Sequence, residues 1–157
     1  MFKKFVADSR KVVEGAREIA SRLESPTVEA EHLLMAVAQQ PRTAAHDVLV
    51  GVGLDYDELR DALDADFAGS LAAVGITLSA FDLAASAAIS RTPRWGTSAK
   101  LALQRSAKIA DAQRDRRLTP AHILLGVLRA PTGTVPRALD RVGVDRAQLS
   151  RLVEAVL

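Results

Sequence analysis

One helical unit is written twice in this chain, and that repetition limits what it can fold into more than any other feature. Displacing the sequence by 90 positions lays residues 5–63 over 95–153 without a gap. In that register Ile19-Ala20 falls on Ile109-Ala110, His32 on His122, Leu34 on Leu124, Val37 on Val127 and Pro41 on Pro131. Agreement continues with Leu49 on Leu139, Val52-Gly53 on Val142-Gly143, Asp55 on Asp145 and Leu59 on Leu149. Apolar, capping and turn positions recur together, so the repeated object is a structural module.

The composition says which kind of module. Of 157 residues 48% are hydrophobic, but aromatics are only 4% and the apolar content is mostly Ala, Val and Leu. Without β-branched runs such a chain favours helices over a sheet, and we expect an all-α fold of two tandem four-helix repeats related by a pseudo-twofold axis. The first helix is expected over about 2–24, with Phe2, Phe5, Val12, Val13, Ala16, Ile19, Ala20 and Leu23 approximating a stripe of period 3.6, and its counterpart over about 98–114. The second opens at "EAEHLLMAV" (29–37) and "TPAHILLGV" (119–127), where Thr119-Pro120 is a good N-cap and first-turn pair. A short third helix stops at Val52-Gly53 or Val142-Gly143. The fourth opens on Asp55-x-x-Glu58 or Asp145-x-x-Gln148, which read as capping boxes. The expected division is module one over 1–66, a linker rich in Ala, Ser and Gly over 67–92 with a short helix around 80–90, and module two over 93–157.

Several function classes lack their parts. There is no phosphate-binding loop of the form Gly-x4-Gly-Lys-Ser/Thr, and scattered serines with three histidines offer no hydrolytic triad, so we expect a non-enzymatic protein without a cofactor. There is no cysteine, and His32, His46 and His122 lack ligand spacing, so neither a disulfide framework nor a metal site is expected. No signal peptide or membrane span is legible, and a reducing cytoplasm fits. With 21 basic residues against 19 acidic, the charge makes a weak case for nucleic acid.

Four side chains are candidates for binding. Glu31 in the first turn of the second helix reads either as a residue stabilised by the helix dipole or as a ligand-facing carboxylate that grips a guanidinium. Phe2 and Trp95 read as core or as aromatics closing a groove between modules, and Lys100 follows Trp95 on the first helix of the second copy. His32 and His122 share one repeat position and are expected to cap or bridge their own modules.

These residues carry a family likeness. An N-terminal "MF..F....R.VV..A" segment, two modules of this size and an "EH-[LI]-L"-like second helix in each resemble the Clp repeat domain, the N-terminal domain of ClpC- and ClpA-type AAA+ unfoldases. The resemblance implies a pseudo-twofold bundle of about eight helices that recruits substrate and adaptor proteins and peptides for a protease-coupled unfoldase. In ClpC relatives a Gly-Thr-Glu-His motif in each module supplies a glutamate that holds the guanidinium of phosphoarginine. Glu31 matches the first such glutamate, whereas Ala121 replaces the second. The preceding threonine is Ala30 or Pro120, and the family's Phe-Thr-x-Arg reads Phe5-Val6-Ala7-Asp8 here. Its aromatic-Thr-Pro-Arg-Ala-Lys reads Trp95-Gly96-Thr97-Ser98-Ala99-Lys100. In actinobacterial relatives the groove near Phe2, this aromatic and this lysine takes cyclic peptide antibiotics, so the resemblance implies peptide or cyclic peptide binding at Phe2, Trp95 and Lys100. No ATPase module follows Leu157, which reads as a stand-alone protein that modulates or sequesters ligands from a ClpC unfoldase. The alternative reading is a helical nucleic-acid-binding regulator using Arg105, Arg114, Arg116 and Arg117 with "LTPAHILLGVL" as a pseudo helix-turn-helix.

Overall fold

A computed structural model of the chain describes residues 5–75 and 92–157. Eight helices account for most of these residues: α1 (Ala7–Arg22), α2 (Ala30–Gln39), α3 (Ala44–Gly51) and α4 (Tyr56–Ala73), then α5 (Thr97–Ala112), α6 (Pro120–Leu128), α7 (Thr134–Arg141) and α8 (Arg146–Glu154). Every helix of the second set starts 90 positions after its partner in the first, the offset read from the sequence. The fold is the expected all-α pair of four-helix repeats.

The turns repeat as faithfully as the helices. After α1, Glu24 takes φ 56° and the Ser25 N–H reaches back to the Ala20 carbonyl at 2.9 Å; after α5, Arg114 takes φ 56° and the Asp115 N–H reaches the Ala110 carbonyl at 2.9 Å. After α3 and α7 the left-handed residue is Gly53 (φ 79°) or Gly143 (φ 75°), where a side chain would strain the stop. Asp55 and Asp145 each cap the next helix by accepting one backbone N–H, from Glu58 and Gln148. The full reciprocal boxes lie elsewhere, at Glu29/His32 and Thr119/His122.

The modules interlock through the segments that lead into α1 and α5. Strand β1 (Thr27–Val28) pairs in parallel with β2 (Arg94–Trp95), and the Gly96 N–H donates to the Val28 carbonyl at 2.9 Å. The symmetry-related contact is a bridge between Phe5 and Leu118, with the Val6 N–H donating to the Leu118 carbonyl at 3.2 Å. Phe5 is therefore held in this bridge, and α1 begins at Ala7 rather than near residue 2. α2 and α6 pack on each other at the centre, with α1 laid on α2 and α5 on α6. Burial follows from that position: all nine residues of α6 are buried, and on α2 only Glu31 and Gln39 are not.

The repeats differ at their last helices. α4 is 18 residues long, running beyond position 66 to Ala73, whereas α8 has nine. The longer helix lies across α7 of the other module, where buried Asp66 accepts from Arg137 Nε at 3.3 Å, Arg137 Nη2 at 3.4 Å and Arg141 Nε at 3.1 Å. The short helix expected around 80–90 falls outside the described residues. Among the described residues no helix is long and apolar enough to cross a membrane, and no group of three or more potential metal ligands occurs.

Candidate functional site: two clefts between the modules

Because each lead segment pairs with the opposite module, the start of α5 abuts the start of α2, and the start of α1 abuts the start of α6. A cleft opens at each junction. The first, about 200 Å³, is lined by Glu29, Ala30, Glu31, Ser98 and Arg105, closed by residues 130 and 132–136. The second, about 420 Å³, is lined by Val6 and Asp8, residues 42–45, Asp115 and Arg117, residues 119–121 and Val156. Most of the two linings are counterparts at the 90-residue offset.

The first cleft is built on Glu29. This residue is the N-cap of α2, and its carboxylate accepts the His32 N–H three residues on. The same carboxylate crosses to α5, accepting the Ser98 N–H at 3.2 Å and a short hydrogen bond from the Ser98 hydroxyl. Ser98 Oγ in turn accepts the Ala30 N–H at 2.8 Å, so one carboxylate and one hydroxyl satisfy exposed amides of two helix starts. Gly96, the N-cap of α5, makes this possible: a Cβ there would overlap the Glu29 carboxylate.

Glu31 is half-buried on the wall of this cleft. Burial holds its carboxyl above the usual range; the neighbouring carboxylates Glu29 and Asp66 push the same way, while its own backbone N–H and Arg137 oppose. No described residue forms an ion pair with it, since Arg137 is drawn to Asp66. The helix-dipole reading fits Glu29 better than Glu31. Arg105, which the sequence reading assigned to a basic patch, lines the same cleft and anchors its Nε on the Gly126 carbonyl at 2.7 Å. Its wall position was invisible in sequence, because it depends on α5 and α6 packing together.

The repeated histidines are structural, as expected. His32 Nδ1 accepts the Glu29 N–H at 2.8 Å, and burial lowers its pKa to about 4, with Glu29 opposing weakly. His122 Nδ1 accepts the Thr119 N–H at 3.0 Å, which leaves Nε2 to donate to Gln113 Oε1 at 3.2 Å; burial lowers its pKa against the pull of Asp115. Both are neutral capping residues in the role usually given to Glu or Gln.

Trp95 and Lys100 lie apart from the cleft lining. Trp95 sits half-buried on β2 with the Arg17 guanidinium 5.6 Å above its ring. Lys100 is exposed on the first turn of α5, and Phe2 falls outside the described residues. The helix that the nucleic-acid reading needs for recognition, α6, has every residue buried, and Arg105 lies in the first cleft, apart from the exposed Arg114, Arg116 and Arg117.

Known proteins share this architecture. The crystal structure of the N-terminal domain of the caseinolytic protease associated chaperone ClpD from Arabidopsis thaliana superimposes with a TM-score of 0.72 at 18% identity, covering 99% of this chain and 98% of that one. The Hsp104 N-terminal domain from Candida albicans gives 0.68 at 15% identity, over 96% and 89% of the two chains. A ClpV N-domain solved in complex with a VipB peptide gives 0.59 at 18% identity, over 96% and 88%. In sequence the chain is 26% identical over 145 residues to the negative regulator of genetic competence ClpC/MecB of Bacillus subtilis (strain 168), which spans 92% of this chain but only 16% of that protein. The model of the Clp repeat (R) N-terminal domain matches twice, over residues 4–100 and 94–157, and the chain belongs to that family.

Proposed function

We propose that this chain is a non-enzymatic module that captures peptide segments of substrate or adaptor proteins, with Glu31 seating a cationic side chain, and so modulates or sequesters ligands of a ClpC-type unfoldase in the cytoplasm. One observation carries the reading: a half-buried carboxylate with a raised pKa is kept on a cleft wall with no ion pair to any described residue. Such a group is poorly placed for stability and well placed for a guanidinium, whose planar fork forms bidentate charge-assisted hydrogen bonds with a carboxylate. A cleft of about 200 Å³ is small for a whole ligand and suits one side-chain head of a longer chain. Support for a peptide comes from the ClpV N-domain of the same fold, solved with one.

The guanidinium ligands that the family likeness puts forward are phosphoarginine-marked proteins. Cyclic peptides are a second class, at Phe2, Trp95 and Lys100. Trp95 supports this second site, because a half-buried ring that carries the Arg17 guanidinium on one face can exchange that cover for a ligand. Titration of the protein with arginine-containing and cyclic peptides, read by calorimetry and by fluorescence of the single tryptophan, separates the two. Heat that depends on Glu31 supports the cleft. A Trp95 response that persists in Glu31→Ala supports the aromatic site, and no binding of either class refutes the proposal.

A further inference from the structure

We infer that Asp66 keeps the first cleft open: it holds the Arg137 guanidinium off Glu31, so that a competitor built into the chain stays away and a ligand's cation can enter. This rests on the reading of Glu31 given above, and it makes Asp66 a positioning residue for the cleft, which it does not line.

Arg137 is well placed to fill the site from within. It follows directly on residues 134–136, which close the cleft whose wall carries Glu31, and its Nη2 donates to Thr134 Oγ1 at 3.3 Å. α7, which carries Arg137, packs on α2, which carries Glu31. The charge of Arg137 is felt at Glu31, where it opposes the rise of the carboxyl's pKa. A tethered guanidinium is present at an effective concentration far above that of a free peptide. Left free, Arg137 would pair with Glu31 through the charge-assisted bonds that a ligand arginine would use.

A buried carboxylate on the other side outbids Glu31. Asp66 is 2% exposed and accepts from Arg137 Nε at 3.3 Å and Nη2 at 3.4 Å, and from Arg141 Nε at 3.1 Å. Giving up Arg137 would strip hydrogen bonds from a buried charge, which costs more than leaving the half-buried Glu31 to water. Asp66 lies on the part of α4 that runs beyond the length of α8, and on the same stretch Gly69 is bare where a Cβ would meet the Arg141 guanidinium at 2.6 Å. At the other junction Ala121 replaces Glu31, while Val156 and Asp47 replace Asp66 and Arg137. The acid and its guard are thus present together or absent together.

Calorimetry with an acetylated, amidated Ala-Arg-Ala peptide on wild type, Asp66→Asn, Arg137→Gln and the double variant is the test. Asp66→Asn is expected to weaken binding by about fivefold or more, because the released guanidinium can turn to Glu31 as well as to water. Adding Arg137→Gln to that variant is expected to restore affinity to within about twofold of wild type, and Arg137→Gln alone to leave it within about twofold. If Asp66 acted through its charge alone, or through a loosened fold, Arg137→Gln would change affinity by the same factor in both backgrounds. That result, or unchanged binding by Asp66→Asn, overturns the inference and leaves Glu31 as a guanidinium site. Clearly weaker binding by Arg137→Gln alone also overturns it, because Arg137 would then serve the ligand, and this arm stands even if Asp66→Asn folds poorly. Absence of binding by wild type, or binding that Glu31→Gln leaves unchanged, overturns the inference and the reading of Glu31 together.

Discussion

The two clefts come from one repeated plan, yet they carry different chemistry. In the first, Glu29, Glu31 and Ser98 face one another beneath the clasp of Asp66 with Arg137 and Arg141. The counterparts of these six residues, in the same order, are Thr119, Ala121, Asp8, Val156, Asp47 and Gly51. Caps, turns and core positions survived duplication because each helix start and stop needs them. The charged set did not, and that divergence separates what the fold requires from what one cleft does. The surroundings of the two positions differ as well. Arg137 partly offsets the charge of Glu31, whereas Asp47, at the equivalent position, is itself acidic.

The symmetry of the core is the feature whose disruption should cost most. Leu34 and Leu124 are fully buried counterparts, so Leu34→Ala and Leu124→Ala should each lower stability by about 2–5 kcal/mol in denaturant unfolding. Costs that differ by more than that range would mean the modules do not share one kind of core.

Acid tests the capping histidines. His32 has a folded pKa of about 4 against 6.5 when unfolded, so the unfolded chain binds the proton first. Its stability contribution is fully present above about pH 6.5 and is lost as pH falls toward 4, a loss of ~3 kcal/mol. His122 acts in the same direction. Glu31 works oppositely: its raised folded pKa favours the fold at low pH, and that benefit disappears as pH rises through the raised value. Thermal melts of His32→Gln, which can keep the capping box, should lose much of the acid sensitivity between pH 6.5 and 4. An unchanged profile would refute the neutral capping role.

The clasp should show a smaller, one-sided effect. Asp66→Asn leaves two arginines that are about half exposed and can turn to water, so a cost of ~2 kcal/mol is expected rather than the larger penalty of stranding a buried cation. A neutral substitution would show that α4 is held across α7 by packing alone.

Smallest is the effect of Glu31 on stability, and its sign is diagnostic. Glu31→Gln should stabilise the fold at neutral pH by up to about 1 kcal/mol, because a partly desolvated charge is removed. Ala121→Glu, placing an acid at the buried counterpart, should destabilise it. A loss of stability in Glu31→Gln would mean the carboxylate serves the fold.

Much of this architecture was legible because it is local. The offset that aligned His32 with His122 and Gly53 with Gly143 also set the eight helix starts, since caps and stops are encoded within a few residues of where they act. What escaped is tertiary. The crossing of Glu29 to Ser98 joins positions 69 apart, and Arg137 meets Asp66 across 71. The extra length of α4 lies past the end of the repeat, where there was no second copy to compare. Glu31 could be singled out because the repeat lacks it at Ala121, but its raised pKa depends on burial in the cleft and on Glu29 and Asp66 converging beside it, against the pull of Arg137.

The central claim is that one cleft of the pair binds a cationic side chain through Glu31. Titration calorimetry with an acetylated, amidated Ala-Arg-Ala peptide at neutral pH, on wild type and Glu31→Ala, is the direct test. One such site per chain is expected, with a loss of roughly tenfold or more in affinity on removing the carboxylate, as hydrogen bonds to charged groups are worth ~1.5–3 kcal/mol. Binding to wild type that Glu31→Ala leaves unchanged, or two equivalent sites per chain, would contradict it.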